Sequence, residues 1–92
     1  MSVEVRIPTM LRSQVAGAAT VAIEGSTIGE IVQHLVDSYP SLAGQIVTPD
    51  GALHKFVNVY LNDDDIRYLD KLDTKVGEGD TVSILPAVAG GA

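Results

Sequence analysis

The stretch "ATVAIEGSTIGEIVQHLVDSYP", Ala19 to Pro40, carries in succession the two regularities from which the fold is built. Val21 and Ile23 alternate with their neighbours until Gly25, the period-two pattern of a strand with one buried face. Ile28, Ile31, Val32, Leu35, Val36 and Tyr39 then recur at three- and four-residue spacing, which gathers them on one broad stripe of a helix. Thr27, with Glu30 three residues on, forms a capping box that satisfies two otherwise orphaned backbone donors. Pro40 disfavours helical geometry at Tyr39, so the spacing predicts a helix that begins after Thr27 and stops before Pro40.

Outward from this unit, Val3, Val5 and Ile7 alternate with Ser2, Glu4 and Arg6, and Pro8 closes the strand. Met10 to Gly17, with Ser13 and Gly17, is expected to turn the chain back and complete a hairpin with the Val21–Ile23 strand. On the other side, Ser41 to His54 is weakly patterned, with "TPDGAL" reading as a turn, and predicts a short helical turn followed by a loop. "KFVNVYLN" sets Val57, Val59 and Leu61 against Phe56, Asn58 and Tyr60 as a third strand. The polar turn residues of "NDDD", Asn62 to Asp65, lead to a short strand expected at Ile66 to Tyr68. "GEGD", Gly77 to Asp80, is a further turn, and "TVSILP" is the last strand.

One amphipathic helix between a leading hairpin and later strands needs a sheet to cover. The class is therefore α+β, with the main helix packed on one face of a mixed sheet and the other face partly open. That element order is similar to the β-grasp, or ubiquitin-like, fold. The 92 residues make one domain, because chains of about 50 to 250 residues form single cores. The boundaries expected are residues 1–86 for the β-grasp domain and 87–92 for a flexible C-terminal tail.

The chain has no cysteine, which removes disulfides, thiolate metal sites and cysteine nucleophiles together. Its formal net charge of -6 argues against nucleic acid or an anionic membrane and favours an electropositive protein partner. A modestly acidic domain is also simply a soluble one. The start "MSVEVRIPTMLR" has neither a basic nor an apolar leader region, and no apolar run reaches 18 residues, so a soluble cytoplasmic protein is expected.

No autonomous active site is visible. His34 and His54 lack a second imidazole at ligand spacing, so no metal is expected there. The aspartates Asp63, Asp64, Asp65, Asp70 and Asp73 lack the spacing of an EF-hand loop and read as a solvated turn. "GEGD" is followed by no helix and no Lys-Ser/Thr pair, so it is no phosphate loop, and no "GxSxG" nucleophile elbow occurs. What remains is the ending "PAVAGGA", Pro86 to Ala92, which has no side-chain chemistry. By composition it reads as a frayed terminus; by chemistry, its glycines suit a backbone that enters a channel too narrow for any Cβ.

With this element order, the ending "GEGDTVSILPAVAGG" resembles the ThiS and MoaD sulfur-carrier proteins, whose strand-Pro-x-x-x-Gly-Gly termini are specific in that fold. "LHKFVNVYLNDDDIRYL", Leu53 to Leu69, together with "ILPAVAGG", resembles most the CysO branch, associated with cysteine biosynthesis and related sulfur transfers. The resemblance runs over essentially the whole chain and is weakest at Met10 to Ala19 and Ser41 to Ala52.

It implies a carrier rather than an enzyme. An E1-like partner of the MoeB/ThiF/MoeZ type would adenylate the Gly91 carboxylate with ATP and magnesium, and a sulfur donor would displace AMP to leave a thiocarboxylate. The acceptor is expected to be a biosynthetic enzyme, a PLP-dependent cysteine synthase or a thiazole-synthase-like protein. A JAMM-type zinc peptidase would release the product. The carrier itself binds no cofactor and is expected to be monomeric when free. Ala92 departs from the family pattern, because Gly91 is then held in a peptide bond, and its removal is expected to precede activation. Gly90, Ala89 and Val88 would contact the partner within its channel, and Leu85, in the bulky apolar position before the proline, would pack on it. Phe56 and Tyr60 would extend that patch from their strand or merely stabilise cross-strand pairs, and Asp63 to Asp65 would add electrostatic steering. A molybdopterin synthase small subunit, a ubiquitin-like covalent modifier and a plain β-grasp interaction module are the alternatives.

Overall fold

Val3 and Val5 leave β1 (Ser2–Arg6) on one side and are buried, while Ser2, Glu4 and Arg6 leave on the other and are exposed. The computed structural model, which describes residues 2–50, 52–55 and 57–86, pairs this strand antiparallel with β2 (Thr20–Glu24), Val3 opposite Ile23 and Arg6 opposite Thr20. The connection is more than the expected turn: Thr9–Val15 forms a 3-10 helix that buries Leu11 and Val15. It ends through Ala16 and Gly17, both left-handed at φ 59 and 81. The Leu11 and Val15 side chains both belong to the hydrophobic core.

The helix α1 (Ile28–Ser38) follows as the spacing predicts, with Ile28, Ile31, Val32 and Leu35 buried. Val36 and Tyr39 are partly buried against the same core. Its cap extends one residue further back than the sequence pattern suggests. Glu30 N–H donates to Thr27 Oγ1 at 3.2 Å, but the Glu30 carboxylate accepts from the backbone N–H of Ser26 at 2.7 Å and from its hydroxyl at 2.8 Å. Gly29 stands in the first turn because a Cβ there would meet the Leu72 carbonyl oxygen at 3.2 Å, where the helix lies against the 3-10 helix Lys71–Asp73.

After α1 the chain makes the expected short turn, a 3-10 helix at Pro40–Leu42, and a loop that is anchored by buried Leu42 and Ile46. Strand β3 (Val57–Leu61) runs into a tight turn, with Asn62 at φ 56, and pairs with β4 (Asp64–Asp65). Here the structure corrects the reading of a short strand at Ile66 to Tyr68. The short strand is Asp64–Asp65, and Ile66–Tyr68 is a 3-10 helix, because the Asp65 carboxylate accepts the Arg67 N–H at 2.9 Å and winds the chain. In the "GEGD" turn the Asp80 carboxylate accepts from Gly77 N–H at 2.9 Å, and Gly79 supplies φ 94. The last strand, β5 (Thr81–Pro86), then enters the middle of the sheet.

The sheet order is β2-β1-β5-β3-β4, with β1 and β5 parallel and the other neighbours antiparallel. This is the β-grasp fold. One core lies between α1 and the sheet, formed by Val3, Val5, Ile23, Val59, Val82 and Ile84 beneath Ile28, Ile31 and Leu35. Among the described residues no buried side-chain nitrogen or oxygen lacks a hydrogen-bond partner.

Candidate functional site

Because β1 and β5 are parallel and in register, Arg6 opposite Ser83, the end of the last strand lies beside the end of the first. Beyond β5 on its other side, Tyr60 pairs with Ser83 and Asn58 with Leu85. The period-two phase that buries Val82 and Ile84 therefore turns Ser83 and Leu85 to the open face with Arg6, Tyr60 and Asn58. Leu85 is 43% exposed, the last side chain described before the "AVAGGA" segment.

Two depressions meet at Leu85. One, of about 560 Å³, is lined by Arg6, Arg12, Tyr60, Asn62, Asp63 and Ser83 as well as Leu85 itself. The other, of about 220 Å³, is more apolar and lies between Leu85 and Pro8, Met10, Leu11 and Val57. The structure thus brings Leu85 and Tyr60 together. Phe56, Val88, Ala89, Gly90, Gly91 and Ala92 lie outside the described residues.

Met10, Arg6 and Arg12 are members of this surface that the sequence reading passed over. Arg6 belongs to the polar phase of β1, the one signal that aligned it with Leu85, whereas Met10 and Arg12 sat in a segment read only as a turn. Arg12 is positioned by donating its Nε–H to the Ile7 carbonyl at 3.1 Å, which leaves the remaining guanidinium nitrogens at the depression.

The acidic turn is not uniformly solvated. Asp63 and Asp64 are exposed, but Asp65 is only 7% exposed and receives Arg67 Nη2 at 2.8 Å and Nε at 3.1 Å, a fork that accompanies the backbone bond. The Arg67 guanidinium holds the Asp65 carboxyl below the usual carboxylate range, and Asp65 in turn raises Arg67. Asp65 is a structural clamp with its charge matched locally, whereas Asp63 and Asp64 stand exposed. Ser26 likewise lowers Glu30 through its two hydrogen bonds, so this carboxylate serves the helix start. His34 donates Nδ1–H to the Glu24 carbonyl and ties α1 to β2. Among the described residues no three His, Cys, Asp or Glu side chains are grouped to hold a metal ion, and no helix is long and apolar enough to cross a membrane.

The pattern of the ThiS family matches residues 5–91. The chain belongs to the ThiS family. Among relatives of this member, "Sulfur carrier protein CysO" of Mycobacterium tuberculosis is 43% identical over 93 residues, 99% of this chain and 100% of that protein. "Small archaeal modifier protein 3" of Haloferax volcanii is 37% identical over 68 residues, 74% of this chain and 73% of the relative. The crystal structure of the Amycolatopsis orientalis BexX/CysO complex contains a chain that superposes with a TM-score of 0.86 at 41% identity, covering 96% of this chain and 98% of that one. The relative named as a sulfur carrier is by that name a carrier rather than a catalyst, and its match takes in 99% of this member.

Proposed function

We propose that this protein is a sulfur carrier of the CysO type, with residues 1–86 as the folded body and 87–92 as the arm. The observation that carries the reading is the family match, which extends through Gly90 and Gly91 on a chain similar over its full length to a named sulfur carrier. The position of β5 supports it, since the strand ends at a surface where apolar Leu85 is left uncovered.

Activation requires a free Gly91 carboxylate, so whatever follows Gly91, here Ala92, is first removed by hydrolysis of their peptide bond, the task assigned to a JAMM-type zinc peptidase. A Gly91 carboxylate oxygen then attacks the α-phosphorus of ATP on an E1-like enzyme of the MoeB/ThiF/MoeZ type, with magnesium held there, and pyrophosphate leaves. Sulfide, or a persulfide together with a thiol reductant, supplies sulfur to the acyl carbon, and AMP departs with the electron pair of the cleaved bond. The product is a thiocarboxylate, nucleophilic at neutral pH. It donates sulfur to a biosynthetic enzyme, either a PLP-dependent cysteine synthase or a thiazole-synthase-like protein. The solved BexX/CysO complex supports a protein acceptor of this kind. All these steps belong in the cytoplasm.

Intact-mass measurement tests the sequence of events. Full-length protein incubated with the peptidase, activating enzyme, ATP, magnesium and sulfide is expected to lose alanine and then exchange one oxygen for sulfur. Sulfur gain on a chain that still carries Ala92 overturns the processing step, and no gain on a chain ending at Gly91 overturns the carrier reading. The Haloferax relative named as a modifier favours a second use of the same activated glycine, isopeptide transfer to lysines. Higher-mass conjugates in cell extract distinguish that use.

A further inference from the structure

β2 forms one edge of the sheet, with no strand beyond it among the described residues. Ile7 N–H donates to the Ala19 carbonyl, and the register carries that pairing on through Val5 with Val21 and Val3 with Ile23. Alternate residues of an antiparallel ladder bond the same neighbour, so the main-chain groups of Thr20, Ala22 and Glu24 point outward. Of these, the Glu24 carbonyl takes the His34 Nδ1–H. Among the described residues no hydrogen bond reaches the outward groups of Thr20 or Ala22. Proteins blunt such edges with Lys, Pro, a bulge or a very short strand. The opposite edge does so, since β4 is two residues long and winds at once into a 3-10 helix. β2 uses none of these devices: "TVAIE" pairs regularly over five residues and holds no cation and no proline.

The side chains along this edge decide what pairs with it. A second copy set antiparallel about a two-fold axis at Ala22 puts Ala22 against Ala22, Thr20 against Glu24 and Val21 against Ile23. The outward groups then satisfy one another, and the Glu24 carbonyl, with two lone pairs, accepts a second donor besides His34. On the open face Arg6 stands opposite Thr20 of its own chain, so the row across the junction reads Arg6, Thr20 and the copy's Glu24. Two strand spacings, about 10 Å, separate the main chains of Arg6 and that Glu24. The small Thr20 between them lets the two long side chains approach, and among the described residues Arg6 has no other ion pair. Like charges stay apart: the acids brought nearest across the junction, Glu4 and the copy's Glu24, lie about 12 Å from each other, beyond the screening length of about 8 Å. An arbitrary extended peptide would meet the same main-chain groups, but β2 itself supplies the anion opposite Thr20 and the apolar residue opposite Val21.

We infer that two copies of this chain associate through β2 into one continuous sheet, against the expectation of a free monomer. β5 and Leu85 lie two strands away from the junction, so the association leaves that surface open and stands apart from the carrier reading. Main-chain bonds dominate and little apolar area closes, which makes this a weak interface of the class that buries less than about 1,200 Å².

Sedimentation equilibrium of the full-length chain from about 0.01 to about 1 mM is expected to show the mass rising from one chain toward two. Ala22→Pro removes the outward N–H at the axis and is expected to weaken association about tenfold or more, with the melting temperature reporting whether the fold is kept. Arg6→Glu leaves the main chain untouched and is also expected to weaken it, and Arg6→Glu with Glu24→Arg to restore it. Because the chain has no cysteine, single introduced thiols read the register. Residues in a hydrogen-bonded antiparallel pair have Cα atoms about 5.5 Å apart, within disulfide range. With oxidised glutathione, Ala22→Cys is expected to link about tenfold faster or more than Thr20→Cys, whose two copies stand about 14 Å apart in this pairing. A mass of one chain throughout, unaltered association in folded Ala22→Pro or in Arg6→Glu, no restoration by the charge swap, or equal linking by the two thiols overturns the inference.

Discussion

Asp65 accepts three interactions from one residue two positions on: the Arg67 N–H, Nε and Nη2. Its neighbours Asp63 and Asp64 are chemically identical and exposed, so position in the turn, not residue type, makes Asp65 structural. Removing the carboxylate leaves the Arg67 N–H uncapped at the start of the 3-10 helix that seats buried Ile66. Asp65→Ala is expected to destabilise by about 1–2 kcal/mol. Asp65→Asn retains an acceptor for the backbone donor and should cost less. Urea denaturation of both variants checks the order, and equal losses would show that the cap on the Arg67 N–H contributes nothing beyond the ion pair. Leu85 is the contrasting residue at this scale: its exposure was legible from strand phase alone, whereas the burial of one aspartate in a run of three was not.

At the scale of elements, the start of α1 shows how far local patterning reaches. Thr27 and Glu30 announce the helix in the sequence, and the structure uses both, but the Glu30 carboxylate bonds Ser26 and so fastens the helix to the strand that precedes it. Thr27→Ala is expected to lower stability by about 1 kcal/mol, read as a shift of the urea midpoint with an unchanged slope. The connection at Thr9–Val15 was not legible as a helix, because seven residues give too short a window for a helical period. It forms nonetheless because Leu11 and Val15 find the core beneath them, and it is this element that presents Met10 and Arg12 beside Leu85.

For the whole molecule, acid stability follows from two carboxylates that the fold lowers by different means, Glu30 through the Ser26 N–H and hydroxyl and Asp65 through the Arg67 guanidinium. A group whose folded value is lowered contributes stability above its unfolded value and loses it as pH falls through the folded one. The melting temperature is therefore expected to hold near neutrality and to fall as pH passes below the ordinary carboxylate range. In the double variant Glu30→Gln, Asp65→Asn that fall should be shallower. Circular dichroism melts across the acid range check it, and identical slopes for the two proteins would refute the assignment. Arg67, raised by Asp65, keeps its charge throughout this range, so its own titration adds nothing to the fall.

Periodicity and capping determined the elements, since each depends on neighbours within a few residues: the alternation of β1, the stripe of α1, and the phase of β5 that exposes Leu85 are all local. The Gly90-Gly91 ending, too, is written in the chain, and with it the family resemblance. What only the tertiary structure decided is adjacency. The parallel pairing of the first strand with the last sets Arg6 beside Ser83, although the two residues stand at opposite ends of the sequence. No local pattern encodes that neighbour, because parallel pairing is selected by burial of both strands under one helix rather than by any residue near either.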